Sequence, residues 1–120
     1  MPVPDRLSCQ VQERADGVCL IVTGEIDYSS RDAFDIAVQA VLSGYPGSVV
    51  LDLTAVPFIS SEGASSLVDA GRRAADAGTG LSITTGPAVW RRLDLLGLAD
   101  ILPLTASVDP PAAGQTPAPE

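Results

Sequence analysis

Three strand-like segments, Val18 to Val22, Val49 to Leu53 and Leu81 to Thr85, are separated by stretches in which apolar residues return every three or four positions. The short apolar runs suit central, buried strands, and the intervening spacing suits amphipathic helices. This alternation constrains the chain more than any other feature. It implies parallel pairing through right-handed crossovers.

Ahead of the first run, Leu7, Cys9 and Val11 alternate with polar residues, as in a half-buried strand. Ala15-Asp16-Gly17 is a turn signal, so the first two runs read as a hairpin, which adds an antiparallel pair, and Gly24 closes it. Asp27, Ser29 and Ser30 can each cap a helix start. That helix carries Ala33, Phe34, Ala37, Val38, Val41 and Leu42 on its inner face, with Asp32 and Asp35 early, where the dipole favours anions. Gly44 and Pro46 end it.

The loop Pro57 to Gly63 leads into a second helix with the stripe Ala64, Leu67, Val68, Gly71, Ala74 and Ala75. Such small residues let a helix lie close on a sheet, and Gly78 and Gly80 stop it. Gly86-Pro87 opens a third helix, whose inner face is Val89, Leu93, Leu96 and Gly97. Ile101 to Leu104 is a candidate last strand. The expected fold class is α/β: one domain in the order ββαβαβα, with a mixed four- to five-stranded sheet buried largely by helices. Residues 1–6 read as an N-terminal extension and residues 7–104 as the domain. Residues 105–120, rich in Pro and Ala, have little to bury and read as a disordered tail.

Composition narrows the function classes. The chain of 120 residues holds 7 basic and 15 acidic residues, a formal net charge of -8. Nucleic acid and anionic membrane surfaces are poor partners for it. No stretch nears the ~20 apolar residues of a membrane helix, and Met1 to Arg6 has no signal-like apolar run. The cytoplasm is therefore the expected location. Cys9 and Cys19 read as reduced thiols; a cross-strand disulfide is compatible with the sequence but not required by it. Histidine, the commonest general base and metal ligand, is absent. No P-loop, GxGxxG or GxSxG motif occurs. No catalytic residue, metal site or cofactor is expected, and the chain reads as a binding module.

Four segments carry a resemblance to the STAS domain of bacterial anti-sigma factor antagonists. They are Gly24-Glu25-Ile26-Asp27, Val49-Val50-Leu51-Asp52-Leu53, Phe58-Ile59-Ser60-Ser61-Glu62-Gly63, and the late helix with Pro87, Val89, Arg92, Leu93, Leu96, Gly97 and Leu98. The resemblance implies a partner: an anti-sigma factor that is also a serine kinase related to histidine kinases. The unphosphorylated antagonist binds it and releases the sigma factor. Phosphorylation of a serine at the start of the second helix then breaks the complex. The family's commonest motif there is D-S-S-G, with the second serine modified.

Anchored on Gly63, the corresponding stretch here is Ser60-Ser61-Glu62-Gly63. Ser60 takes the acidic residue's place, Ser61 keeps the first serine's, and Glu62 holds the acceptor's. Two readings of Glu62 stand side by side: an ordinary first-turn acid, stabilised there by about 0.3–1 kcal/mol, or a built-in partial mimic of phosphoserine, with one charge against about -1.5 to -2. Ser61 and Ser60 are the displaced phosphorylation candidates, and each also suits an N-cap. The resemblance places Asp27, Ser60, Ser61, Glu62 and Gly63 on the partner surface. Asp52 either satisfies backbone groups of the next loop or orients Ser60 or Ser61. Arg72, Arg73, Arg91 and Arg92 read as solvated helix faces, and Trp90 as core edge or partner contact. The leading function is an anti-sigma factor antagonist acting as a monomer or weak dimer. The alternatives are an accessory STAS subunit of an ABC-type transport system and a ligand-sensing STAS module.

Overall fold

The computed structural model describes residues 7–44 and 46–105. The elements are β1 (Ser8–Arg14), β2 (Gly17–Thr23), α1 (Arg31–Leu42), β3 (Ser48–Ala55), α2 (Ser61–Ala77), β4 (Gly80–Thr85) and α3 (Pro87–Leu95). The sheet runs β1-β2-β3-β4; β1 pairs antiparallel with β2, and β2, β3 and β4 are parallel. The order is the one the alternation implied. The candidate last strand is not formed. Its place is taken by one parallel bridge, Ile83 to Leu104, with the Ile83 amide donating to the Pro103 carbonyl. Thr105 donates its amide to the Ile83 carbonyl, so the ordered packing continues one residue past 104. Residues 1–6 and 106–120 lie outside the described residues, and with them the expectations of an extension and a disordered tail.

Successive parallel strands laid down in one direction with right-handed crossovers put both crossover helices on the same face. The core follows from this. Leu20 and Val22 of β2, Val49, Leu51 and Leu53 of β3, and Ile83 of β4 share that face and are buried. Phe34, Val38 and Leu42 of α1, Leu67, Ala70 and Ala74 of α2, and Val89 and Leu93 of α3 close over them. Fully burying a side chain of this size contributes roughly 1.5–3 kcal/mol. The apolar spacing of the helices is therefore what fixes the layers.

The other sheet face corrects the expectation of a sheet buried largely by helices. Gln10, Gln12, Ile21, Asp52, Ser82 and Thr84 sit there half-buried or exposed, and none belongs to the core cluster. Cys19 lies on that face too, buried against its neighbours, while Cys9 pairs with Val22 on the helix side. The two thiols are free and point to opposite faces, so no disulfide joins them. Burial pushes both thiols above their usual range. Val11, expected to be half-buried, is 58% exposed: β1 is an edge strand, and Val11 faces an open hollow that it lines together with Ala40 and Val41 of α1. Leu96, placed on the inner face of α3, is 40% exposed: the helix ends at Leu95 and Gly97 turns the chain with positive φ.

Candidate functional site

The site is built where two loops meet at the start of α2. Ile26 and Ile59 lie in these two loops, both fully buried, and they form a parallel bridge. The Ile26 amide donates to the Phe58 carbonyl at 3.2 Å, and the Ser60 amide donates to the Ile26 carbonyl at 2.9 Å. Burial of two isoleucines draws the loops in, and the two backbone bonds fix their register. Asp27 thereby comes beside Ser60.

Gly63 sits at the contact. A Cβ there would fall on the Ile26 carbonyl oxygen and lie 2.8 Å from both Ile26 Cγ2 and Ile59 Cγ1. Only glycine lets the first turn of α2 approach this closely. Ser60 is the N-cap, extended at ψ 177, and its Oγ accepts from the Gly63 amide at 3.1 Å. It satisfies one of the amides that a helix start leaves unpaired. Ser61 and Glu62, in the first turn, are both exposed.

Asp27 does not cap α1 directly. Its Oδ1 accepts from the Ser29 hydroxyl at 2.9 Å, the Ser29 amide at 3.0 Å and the Ser30 amide at 3.1 Å. Ser30, the residue before α1, donates its hydroxyl to the Glu25 carbonyl at 2.7 Å and accepts from the Asp27 amide at 3.0 Å. The turn is thus clamped from both sides. The Ser29 hydroxyl, with the Ser30 and Ser29 amides, holds the Asp27 carboxyl below the usual carboxylate range. A carboxyl whose folded pKa lies below its unfolded one stabilises the fold above the unfolded value, and that contribution is lost as pH falls through the folded one. The parent chain is therefore expected to be more resistant to urea than Asp27→Asn at neutral pH. The gap should close below about pH 4. Urea midpoints of both proteins across pH 2.5–7 check this, and a gap that widens on acidification would reverse the sign.

The structure brings Asp27, Ser60, Ser61, Glu62 and Gly63 together at one end of the sheet. Asp52 is not among them. It lies on the open face, and its Oδ1 accepts from the Thr54 amide at 3.0 Å and the Thr54 hydroxyl at 2.6 Å. Neither of its two readings is met: Thr54 belongs to β3 itself rather than to the loop that follows, and among the described residues Asp52 makes no hydrogen bond to Ser60 or Ser61. Arg92 is likewise not a solvated helix residue. Its guanidinium carbon stands 5.2 Å from the Phe58 ring centroid, within cation–π reach, and its Nε is buried with no acceptor among the described residues. Phe58, next to the Ile59 bridge, is thereby pinned from α3. Tyr28, 75% exposed beside Asp27, adds an aromatic ring to this end. An exposed tyrosine in a G-E-I-D-Y stretch was the available sequence signal; no local signal marks the Arg92–Phe58 pair. Trp90 is half-buried on α3.

Among the described residues no cluster of side chains could hold a metal ion, and no helix is long and apolar enough to cross a membrane. The site offers hydroxyls, the carboxylates of Asp27 and Glu62, and a helix N-terminus at one end of the sheet. Hydroxyls and carboxylates so placed can make hydrogen bonds and ion pairs to another molecule.

A family model described as "Mlab, STAS domain" matches residues 9–104. The anti-sigma-F factor antagonist RsfB of Mycobacterium tuberculosis is 28% identical over 98 residues, which cover 82% of this chain and 80% of that protein. The crystal structure of an anti-sigma factor antagonist from Mycobacterium paratuberculosis superposes with a TM-score of 0.78 at 30% identity, covering 90% of this chain and 92% of that one. The unphosphorylated form of the anti-sigma factor antagonist SpoIIAA shares the fold, with a TM-score of 0.67 at 13% identity over 88% of this chain and 92% of that one.

Proposed function

Because the chain belongs to the STAS-domain family, matched over residues 9–104, we propose that it is an anti-sigma factor antagonist. It captures an anti-sigma factor of the histidine-kinase-like serine kinase type and so frees a sigma factor. The names of its mycobacterial relatives support this reading. One observation carries it furthest: Gly63 sits where no Cβ fits, locking the Ser60–Gly63 turn against Ile26 and presenting Ser61 and Glu62 outward beside Asp27.

The partner docks on this end, with Asp27, Ser60, Ser61, Glu62 and Gly63 at its centre. The acceptor for the partner's kinase is Ser61. Ser60 is half-buried, with its Oγ committed to the Gly63 amide, while Ser61 is exposed. A phosphate on Ser61 would still meet the α2 N-terminus, where free amides and the helix dipole favour an anion. Glu62 keeps one negative charge where the family's commonest motif carries the acceptor, so the unmodified chain already resembles the modified state in part. The protein works in the cytoplasm without nucleic acid, membrane, metal or cofactor and has no enzymatic role of its own. Its net charge of -8 disfavours strong self-association, so it acts as a monomer or weak dimer.

The test uses the purified chain with a histidine-kinase-like anti-sigma factor from the same genome. Binding is measured without ATP; phosphate is then mapped by mass spectrometry after ATP is added. Binding, followed by phosphate on Ser61 and loss of the complex, is expected. Binding with no phosphate would make this a permanently active antagonist and remove Ser61 from the switch. Binding to no such kinase, with capture of a transport ATPase subunit instead, would replace the proposal by the transport-accessory role.

A further inference from the structure

We infer that β1 pairs edge to edge with β1 of a second copy, so that two chains share one continuous sheet and form a weak dimer. This goes beyond the antagonist role and does not depend on it. β1 lies at the end of the sheet order, and among the described residues nothing pairs with its outer side. The opposite edge, β4, is partly covered, because the Ile83 amide donates to the Pro103 carbonyl and the Ile83 carbonyl accepts from the Thr105 amide. An uncovered edge presents unpaired amides and carbonyls, and it is usually blunted by proline, lysine, a bulge or a very short strand. β1 has none of these. It runs seven residues, Ser8–Arg14, without proline or lysine, and its register with β2 is unbroken.

The hairpin sets the register. Ala15 and Asp16 form a two-residue turn, so Arg14 and Gly17 are a hydrogen-bonded pair, and such pairs alternate along the strand. Gln12, Gln10 and Ser8 therefore turn their amides and carbonyls to β2, and Cys9, Val11 and Glu13 turn theirs outward. An antiparallel partner centred on Val11 sets Val11 against Val11, and Cys9 against Glu13 on either side of it. Outward groups then meet outward groups at all three pairs, and each pair exchanges two backbone hydrogen bonds. Gln10-Val11-Gln12 reads the same in both directions, so Gln10 comes opposite Gln12 on the open face, where one side-chain amide can donate to the other. Charge permits this joint even on a chain of net charge -8. The two Glu13 residues stand four positions apart along it (13 minus 9), about 14 Å, beyond the screening length of about 8 Å at physiological salt. On the helix side the joint is apolar. Val11, 58% exposed, lines an open hollow of about 300 Å³ with Val18, Ala40 and Val41. At about 100° per residue, Ala33, Ile36, Ala37, Ala40 and Val41 of α1 fall within an arc of about 140° that holds no polar residue. A surface helix ordinarily turns polar residues outward; here the arc runs apolar from the hollow into solvent, where Ile36 is 69% exposed. The two-fold axis through the Val11 pair brings both hollows side by side.

Sedimentation of the full chain, with no kinase present, tests the pairing. The parent's average mass should rise above the monomer's between about 10 µM and 1 mM, the weak association expected of a small interface. Val11→Lys sets two like charges face to face, with about 5.5 Å between their Cα atoms. Val11→Pro removes an amide that points outward and leaves the bonds to β2 in place. Both variants should stay monomeric at about 1 mM and unfold within roughly 2–4 °C of the parent, as exposed substitutions do. Should Val11→Pro fail to fold, Val11→Lys carries the test alone. Amide hydrogen exchange reads the alternation: protection at Cys9, Val11 and Glu13 should grow with concentration, while Gln10 and Gln12 stay protected throughout. A parent that is monomeric at about 1 mM, or a dimer that the variants keep, would overturn the pairing. So would outward amides protected at every dilution, the result if a segment of the same chain covers the edge.

Discussion

Gly63→Ala is expected to lower the thermal midpoint by roughly 10–20 °C, the size of shift that follows from losing about 3 kcal/mol in a small domain. The new methyl carbon would overlap the Ile26 carbonyl oxygen, which is backbone, and lie 2.8 Å from Ile26 Cγ2 and Ile59 Cγ1, both fully buried. Neither neighbour has a free rotamer to offer. Relief requires α2 to move away from the Ile26 loop, and that movement breaks the bond from the Ser60 amide to the Ile26 carbonyl and opens the Ile26–Ile59 bridge. About 3 kcal/mol is a large share of the 5–15 kcal/mol that ordinarily holds a domain together. The loss should also reach the site, because the bonds that break are those that set Ser60 beside Asp27. Thermal unfolding followed by circular dichroism checks the stability. A midpoint within two degrees of the parent's would show that the loop carrying Ile26 yields freely and that the close approach is not a constraint.

Glu62→Ser should change the switch more than any other single substitution. It returns a hydroxyl to the position that carries the acceptor in the family's commonest motif. It also removes the standing negative charge at the α2 N-terminus. The expected result has two parts. Without ATP the variant binds the anti-sigma kinase at least as tightly as the parent does, since a carboxylate resembling the modified state is gone. With ATP it is phosphorylated at position 62 and its affinity falls by about 5–150-fold, the usual span of coupling between two states. A phosphate adds roughly -1.5 to -2 charge where Glu62 supplies only one, so the phosphorylated variant should bind more weakly than the unmodified parent. Mass spectrometry, with binding measured before and after ATP, reads both parts. A variant that accepts no phosphate would show that the turn does not present position 62 to a kinase.

Much of the fold was legible from local pattern. Each strand and helix announced itself through its own apolar spacing: Val18 to Val22, the Phe34–Val38–Leu42 face, the Leu67–Ala74 stripe. Turn and cap chemistry marked the ends at Gly17, Gly78 and Pro87. These features depend on residues a few positions apart, which is the range over which sequence and backbone speak to each other directly. The site loop was legible for a different reason. Its residues follow one another in the chain, so the motif and its departure at Glu62 appear in the text of the sequence itself.

What the tertiary structure alone decided are relations between residues far apart in the chain. That both crossover helices cover one face, leaving Asp52 and Ile21 on the other, depends on strand order. Val11 is exposed because β1 fell at the sheet edge, facing an open hollow beside Ala40 and Val41 of α1, although its alternation is that of a half-buried strand. Asp27 could cap a helix by its residue type, but the donors around it are those of its own turn. Arg92 reached Phe58 across 34 positions of sequence (92 minus 58), and no spacing rule spans that distance. Periodicity reports that a side chain is to be buried; only the assembled layers decide against what.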